Sequence, residues 1–540
     1  SSAASDVYKR QILCHALFYE KDHFMKETDK NKQLIINMAA SLLSCLVSLG
    51  ISFLITPTVI YKLGSEAQGF VTMANNFVSY AAIAAMALNS MAGRFITVKI
   101  HQNDAEGANR YFNSVMYANL VIVAVLLLPC TLVVLYLEKL VNISPALVTD
   151  VKLLFAAMFI NFMVTIIATT FSTATFAANR LDLSALRTIE SQILKAALLI
   201  VTFTLLPVHV SYIGYATLLA NVYLFLTYIH YTKKLLPQIV VSRKYFDIRT
   251  VIEILSAGVW NTIMRAGQAL TNGIDTLITN LWIGKAESGY IGTSTTIVTA
   301  VNTLYETISA VFTPSLTISF AKGNKKELTE DLKSAMKLTG FFANIPLCYI
   351  IGFGMSFYYM WLPSERDILP VYYRLTVLIM LGTLVGGAIS PLFNVYTVVN
   401  KLKWNSIVTL LMGVLNVIVV FIFLEIPAFH PYGIYFIAGT SSFLGIIKNM
   451  TLTPMYAAHC LELPKHAFYP TIFRYIFVTL LMSAVFAGMN HFITTTSWGM
   501  VVADILLCGI VGFLLNFFLL FEARERAIFL DNIRRILHRA

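Results

Sequence analysis

Fourteen apolar runs of roughly 20 to 28 residues, separated by short polar breaks, leave this chain few folds to choose from. Each is long enough to cross a hydrocarbon core of ~30 Å as a helix. They fall at 33–60, 69–97, 113–137, 148–176, 185–206, 210–230, 249–275, 290–318, 335–359, 370–396, 403–424, 431–456, 471–491 and 497–520. A membrane-crossing β-strand would instead alternate polar and apolar residues over ~10 positions, and these segments do not. Composition agrees: 57% of residues are hydrophobic and 12% charged, whereas a water-facing surface needs about 25% charged. The expected fold class is all-α, a polytopic membrane protein of about 14 transmembrane helices.

Lys and Arg set the expected orientation. With the N-terminus inside, cytoplasmic segments hold 31 of the 39 basic residues and the opposite side holds six. Both termini are therefore expected in the cytoplasm, and the net charge of +11 reads as an orientation signal, not a nucleic-acid footprint. The basic run Lys233, Lys234, Arg243, Lys244 and Arg249 reads as an anchor to anionic lipid heads. Six scattered cysteines show neither a disulfide framework nor metal-ligand spacing, so no metal or cofactor is expected.

The chain repeats internally. Leu63-Gly64-Ser65-Glu66-Ala67-Gln68-Gly69-Phe70 recurs as Ile283-Gly284-Lys285-Ala286-Glu287-Ser288-Gly289-Tyr290, an offset of 220. The same offset pairs Thr97 with Thr317, Ser114 with Ser334 and Pro207 with Pro427. With a slip of one residue, Asn179-Arg180-Leu181 pairs with Asn400-Lys401-Leu402. Spans one to six thus map onto seven to twelve, and an even repeat makes the two halves parallel. The expected organisation is a cytoplasmic N-terminal segment (1–32, with 1–11 read as a scar) and an N-lobe (33–230). A basic linker (231–248), a C-lobe (249–456), two further helices (457–520) and a basic amphipathic tail (521–540) complete it.

The chemistry lies inside the spans. In span seven, Asn261, Arg265, Gln268, Asn272 and Asp275 are spaced 4, 3, 4 and 3, which is one helical face. In span eight, Thr295, Thr299, Asn302, Glu306, Ser309 and Thr313 do the same. Shifted by 220, the stripes fall on small or polar residues of spans one and two, among them Ser41, Ser48, Asn75 and Asn89. A charge at mid-membrane costs ~2.5–3.5 kcal/mol on insertion scales, so it seldom faces lipid. Arg265 and Glu306 either lock spans seven and eight together as a buried pair or face a water-filled cavity. Two full stripes favour the cavity. Lys195 is read as snorkelling to the interface, and Asp504 has no evident partner in the sequence.

Two six-helix lobes, a basic linker and two extra C-terminal helices resemble the polysaccharide flippase branch of the multidrug/oligosaccharidyl-lipid/polysaccharide exporter superfamily. The texture of Leu63-Gly64 through Gly69-Phe70, and of Ala87-Leu88-Asn89-Ser90 leading to Arg94-Phe95-Ile96, is similar. The resemblance covers residues 33 to about 520 and implies translocation of an undecaprenyl-pyrophosphate-linked oligosaccharide across the bacterial cytoplasmic membrane by alternating access. It implies a cationic cavity in which Arg265 meets pyrophosphate, with Asn261, Gln268, Asn272, Asn302 and Asn75 around the substrate. Glu306 would be the charge partner of Arg265 or a protonation site, with Asp275 in the same class. Expected partners are the lipid bilayer, the lipid-linked glycan and a polysaccharide polymerase complex.

The drug/cation antiporters of the superfamily are the alternative. They usually have twelve helices and often an acidic residue in the N-lobe, whereas spans one and two here contain no carboxylate. A membrane-embedded glycan polymerase or transferase is disfavoured, because no loop carries a carboxylate pair, a nucleophile set or a phosphate loop. The chain is not expected to be an enzyme.

Overall fold

The computed structural model describes residues 27–312, 316, 325–523 and 525–527. The segment 1–26, Thr313 of the second stripe and the expected amphipathic tail beyond 527 lie outside them. Among the described residues there are 14 long helices. Glu27–His101 is one helical stretch broken at Gly64, whose φ of 83° is left-handed, giving α1 (27–63) and α2 (65–101). After these come α3 (Ala105–Leu135), α4 (Val148–Ala177), α5 (Leu181–Leu205) and α6 (Ser211–Leu235). Next, α7 runs from 248 to 282 through a π-helical turn, and α8 is Lys285–Val311. The remainder are α9 (Lys325–Trp361), α10 (369–398), α11 (Leu402–Glu425), α12 (433–460), α13 (Tyr469–Phe492) and α14 (Trp498–Leu519).

Among the described residues, 10 helical stretches are long and apolar enough to cross a membrane, with α1 and α2 counted as one. The helices that fall short are α7, α8 and α12. For α7 and α8 the cause is the polar stripe itself: asparagine, threonine and charge lower the mean hydropathy of a helix whose length still suffices.

Paired elements carry the same backbone devices. Asn179 ends α4 and Asn400 ends α10, each left-handed with φ 53°. Each is followed by the same closing bond, Arg180 N to Thr175 O and Lys401 N to Tyr396 O, both 2.8 Å. This is the six-to-one bond of a helix C-cap, with asparagine in the place glycine usually takes. The repeat-related glycines Gly69 and Gly289 also meet: a Cβ on Gly69 would lie 2.8 Å from Gly289 N, and one on Gly289 would lie 2.0 Å from Ser65 O. Only hydrogen fits at this α2–α8 crossing.

The chain forms two compact units. The larger comprises the described part of 23–296 with 402–440, that is α1 to α7, the first part of α8, α11 and the start of α12. Its apolar core includes Phe70, Met73, Leu154, Phe155 and Phe159. Polar clamps tie its helices: Asn89 and Asn119 exchange hydrogen bonds of 3.1 and 2.9 Å, and Asn119 also donates to Thr170 Oγ1 at 3.0 Å. Asp150 on α4 accepts the Val210 and Ser211 amides at 2.7 and 3.1 Å, capping α6. Asn142, before α4, and Asn280, near the end of α7, make three reciprocal bonds of 2.8 to 3.0 Å.

The segment between α6 and α7 is strapped to α3. Asn109 donates to Gln238 O and accepts from Val240 N, while Asn113 donates to Val240 O and accepts from Ser242 N, all at 2.7 to 2.9 Å. Ser114 Oγ then accepts from Asp247 N at 3.0 Å. Two asparagines one turn apart satisfy a strand of backbone as a neighbouring strand would. The start of α7 is thereby fixed to α3.

The smaller unit comprises 297–401 and the described part of 441–540: the rest of α8, α9, α10, most of α12, α13 and α14. Asn344 on α9 and Asn516 on α14 exchange two bonds of 2.9 Å in its buried interior. Lys337, also buried, is satisfied by Glu522 and Glu525 at 2.8 and 2.9 Å. Asp504, without an evident partner in the sequence, accepts from Thr495 Oγ1 at 2.7 Å and so closes the turn ahead of α14.

Candidate functional site

In the larger unit, α7 passes between α2 and α11. A Cβ on Gly267 would lie 2.6 Å from Thr409 O, and one on Gly413 would lie 2.5 Å from Gly267 O, so α7 and α11 touch backbone to backbone. Directly after this contact α7 takes a π-helical turn, Ala269–Gly273. Such a turn releases carbonyls from the ordinary i to i−4 ladder, and two neighbours collect them. Asn416 of α11 donates to Leu270 O and Thr271 O at 3.2 and 3.3 Å. The Tyr80 hydroxyl of α2 donates to Gly273 O. One turn on, Asn76 donates to Thr276 Oγ1 at 2.9 Å. Inserted π turns occur often at functional sites.

The turn breaks the stripe. The 4-3-4-3 spacing keeps one face only on an uninterrupted helix, and one extra residue rotates the rest of the helix by about 100°. Gln268 and Asn272 remain exposed. Asp275 is carried inward, 6% exposed, and its Oδ1 finds no hydrogen-bond partner among the described residues.

The remaining candidates are placed as follows. Asn261 donates to Ser90 Oγ of α2 at 3.1 Å, leaving its Oδ1 as an acceptor. Arg265 is half-buried and makes no hydrogen bond or ion pair among the described residues. Asn75 is exposed, and its Nδ2 returns to Val71 O at 2.9 Å; its neighbour Asn76 is the residue that reaches α7. Asn302 and Glu306 belong to the smaller unit, where Asn302 Oδ1 accepts from Thr383 at 3.3 Å and Glu306 is exposed. The structure thus gathers Asn75, Asn261, Arg265, Gln268 and Asn272 in one unit and Asn302 with Glu306 in the other.

Tyr80, Asn76 and Asn416 are missing from the sequence-derived set. Asn416 had a signal, since an asparagine amid the aliphatic run of α11 needs a polar partner. Tyr80 had none, because an aromatic residue in a span is ordinary.

A sequence profile for the family described as "Polysaccharide biosynthesis protein" matches residues 34–320, more than half of the chain. The chain belongs to that family. Its member here is 28% identical over 502 residues to the "Uncharacterized membrane protein EpsK" of Bacillus subtilis (strain 168), covering 93% of this chain and 98% of that one. The fold is that of the lipid II flippase MurJ in its inward closed conformation: TM-score 0.65, 16% identity, 89% of this chain and 98% of that chain. It is also that of an inward-facing multidrug resistance MATE transporter of the MOP superfamily, at TM-score 0.59, 16% identity, 79% of this chain and 99% of that chain. The family member described here is accordingly a multi-pass membrane protein with a flippase and transporter fold.

Proposed function

We propose that this protein is a flippase that carries an undecaprenyl-pyrophosphate-linked oligosaccharide across the bacterial cytoplasmic membrane by alternating access, for cell-surface polysaccharide synthesis. One observation carries the reading: Arg265, in the middle of a spanning helix, holds a guanidinium with no protein partner among the described residues. A charge kept in that position at a cost of ~2.5–3.5 kcal/mol calls for an anionic ligand or a hydrated path. A guanidinium binds phosphate oxygens in a two-pronged fashion, which suits a pyrophosphate. In the same unit, Gln268 and Asn272 have amides and Asn261 and Asn75 have Oδ1 acceptors without a partner among the described residues, and these would meet sugar hydroxyls. Asn302 keeps its Nδ2 donor. Asp275, and Glu306 of the other unit, would be the carboxylates that couple transport to an ion gradient. The 31-to-6 charge asymmetry supports cytoplasmic termini. Family membership and fold support a carrier over an enzyme.

A drug/cation antiporter is the second reading, and the MATE likeness favours it. The coverage tilts the other way. The MurJ match extends over 89% of this chain and the MATE match over 79%, and the 10% difference, about 54 of 540 residues, is the size of two helices. Deletion in the native host separates the two. A flippase leaves glycosylated undecaprenyl-pyrophosphate on the cytoplasmic face and removes surface polymer. Unchanged lipid intermediates with raised sensitivity to cationic drugs would establish the antiporter instead.

A further inference from the structure

Away from the α7 stripe, still within the larger unit, the end of α2, the start of α3 and the first turns of α7 enclose a cleft of about 240 Å³. That is smaller than the ~300–1,000 Å³ of sites enclosing a drug-sized ligand, and so too small for an oligosaccharide. Its charged lining is Lys99, Arg110 and Arg249 against Asp104, Asp247 and Glu253. The formal charges cancel, but their commitments differ.

Every acid is engaged by the fold. Asp104 accepts the Gly107 amide at 2.8 Å and pairs with Lys99 at 3.0 Å. The Gly107 amide, then Lys99, hold its carboxyl below the usual carboxylate range. Asp247 accepts the Arg249 amide at 2.9 Å and the Thr250 hydroxyl at 3.3 Å. Glu253 accepts the Tyr111 hydroxyl at 2.8 Å. Two cations are left over. Arg110 has only a 3.6 Å contact to the exposed Glu106, and the Arg249 guanidinium makes no hydrogen bond or ion pair among the described residues. The N-termini of α3 and α7 both open here and add positive potential.

A second, independent observation says what kind of anion comes. Beside the cleft, Ile248 and Ile252 on α7 are 57% and 59% exposed, and Leu255 and Val259 continue the same apolar ridge. The strap adds exposed Val240, Val241 and Phe246. Two exposed arginines, one with a single long contact to Glu106 and one with no ion pair among the described residues, at the foot of an apolar ridge match a molecule with a phosphate at one end and acyl chains at the other. They do so on the side that the Lys/Arg asymmetry assigns to the cytoplasm.

We infer that this cleft binds the phosphate headgroup of an anionic phospholipid, with Arg110 and Arg249 on the phosphate and an acyl chain along Ile248, Ile252, Leu255 and Val259. Because the strap ties this corner to α3, a lipid here bears on the mounting of α7.

The test is binding of phosphatidylglycerol and phosphatidylcholine to the full chain in detergent by native mass spectrometry. Near a membrane surface a basic residue is worth about 1 kcal/mol, so the Arg110→Gln/Arg249→Gln double variant should lose about 30-fold of its preference for phosphatidylglycerol. A Lys326→Gln/Lys465→Gln variant, altered at exposed basic residues of the smaller unit, should keep it. Equal loss in both variants would mean diffuse surface attraction and overturn the site, as would an unchanged preference in the arginine variant. Inorganic phosphate should compete poorly; full competition would assign the cleft to a soluble phosphate and overturn the lipid. If the glutamine variant does not fold, Arg110→Lys/Arg249→Lys should keep the preference with affinity reduced several-fold, and undiminished affinity would count against two-pronged contact. The readout is lipid binding alone, so its outcome is independent of the transport reading.

Discussion

Asn416→Leu is the sharpest probe of how the candidate face is built. Asn416 Nδ2 holds two carbonyls that the π turn releases, while its own Oδ1 is buried without a partner among the described residues. Interhelical hydrogen bonds in membranes average about 0.6 kcal/mol and reach about 1.7. Losing two of them, with some relief from removing the orphaned oxygen, destabilises the π turn by about 1–2 kcal/mol. The competing register is an ordinary α-helix through 269–273, which satisfies those carbonyls internally and rotates everything after it. A change of that size shifts the balance between registers about 5- to 30-fold. The assay is maleimide labelling of Asn272→Cys and Asp275→Cys in a cysteine-free background. With Asn416 present, position 272 should label readily and 275 hardly at all. With leucine there, labelling at 272 should fall and that at 275 rise. Identical patterns in the two backgrounds would refute the argument that Asn416 sets the register.

Four further outcomes are expected. Arg265→Ala should reduce transport about 10- to 150-fold, the worth of a hydrogen bond of ~1.5–3 kcal/mol to a charged group, at normal expression; Arg265→Lys should recover part of it, as complementation of a deletion strain would read. Asp275→Asn should leave the thermal midpoint unchanged or higher, because it neutralises a buried carboxyl with an orphaned oxygen, while making transport insensitive to the ion gradient in vesicles. Asn280→Ala removes two of the three bonds to Asn142, the third being to the Asn280 backbone carbonyl, and should cost about 2 kcal/mol, visible as faster hydrogen exchange at Asn142. The Asp104 carboxyl is held below its unfolded value by the Gly107 amide and Lys99, so its stabilisation is present above about pH 4 and lost as pH falls through the lower folded value. Asp104→Asn should therefore lower the melting temperature by a constant amount from pH 5 to 8, with the gap closing only below pH 4.

The helices were legible because lipid imposes a length and a composition that any window of sequence reveals. The repeat was legible at Asn179 and Asn400 because a left-handed C-cap admits few residues, and both asparagines sit there. The first half of the α7 stripe was legible for the same kind of reason: Asn261, Arg265 and Gln268 precede the π turn, where 3.6-residue periodicity holds. Asp275 lies beyond it. That residue is moved by the capture of carbonyls by Asn416 and Tyr80, partners 141 and 195 positions away in sequence, and no local pattern records such a pairing. The strap was hidden likewise. Asn109 and Asn113 read as polar residues at a helix start, and only the fold shows backbone laid along them.

The central claim is that the protein moves a lipid-linked, pyrophosphate-bearing glycan and that Arg265 receives its charge. Reconstitution into liposomes loaded with undecaprenyl-pyrophosphate oligosaccharide, with an external enzyme or lectin reporting the glycan that appears outside, tests it most directly. The account predicts protein-dependent appearance of the glycan under an imposed gradient, strongly reduced by Arg265→Ala and retained by the Lys326→Gln/Lys465→Gln control. Flipping by Arg265→Ala at the unaltered rate, or no flipping by folded protein under any gradient, would contradict it.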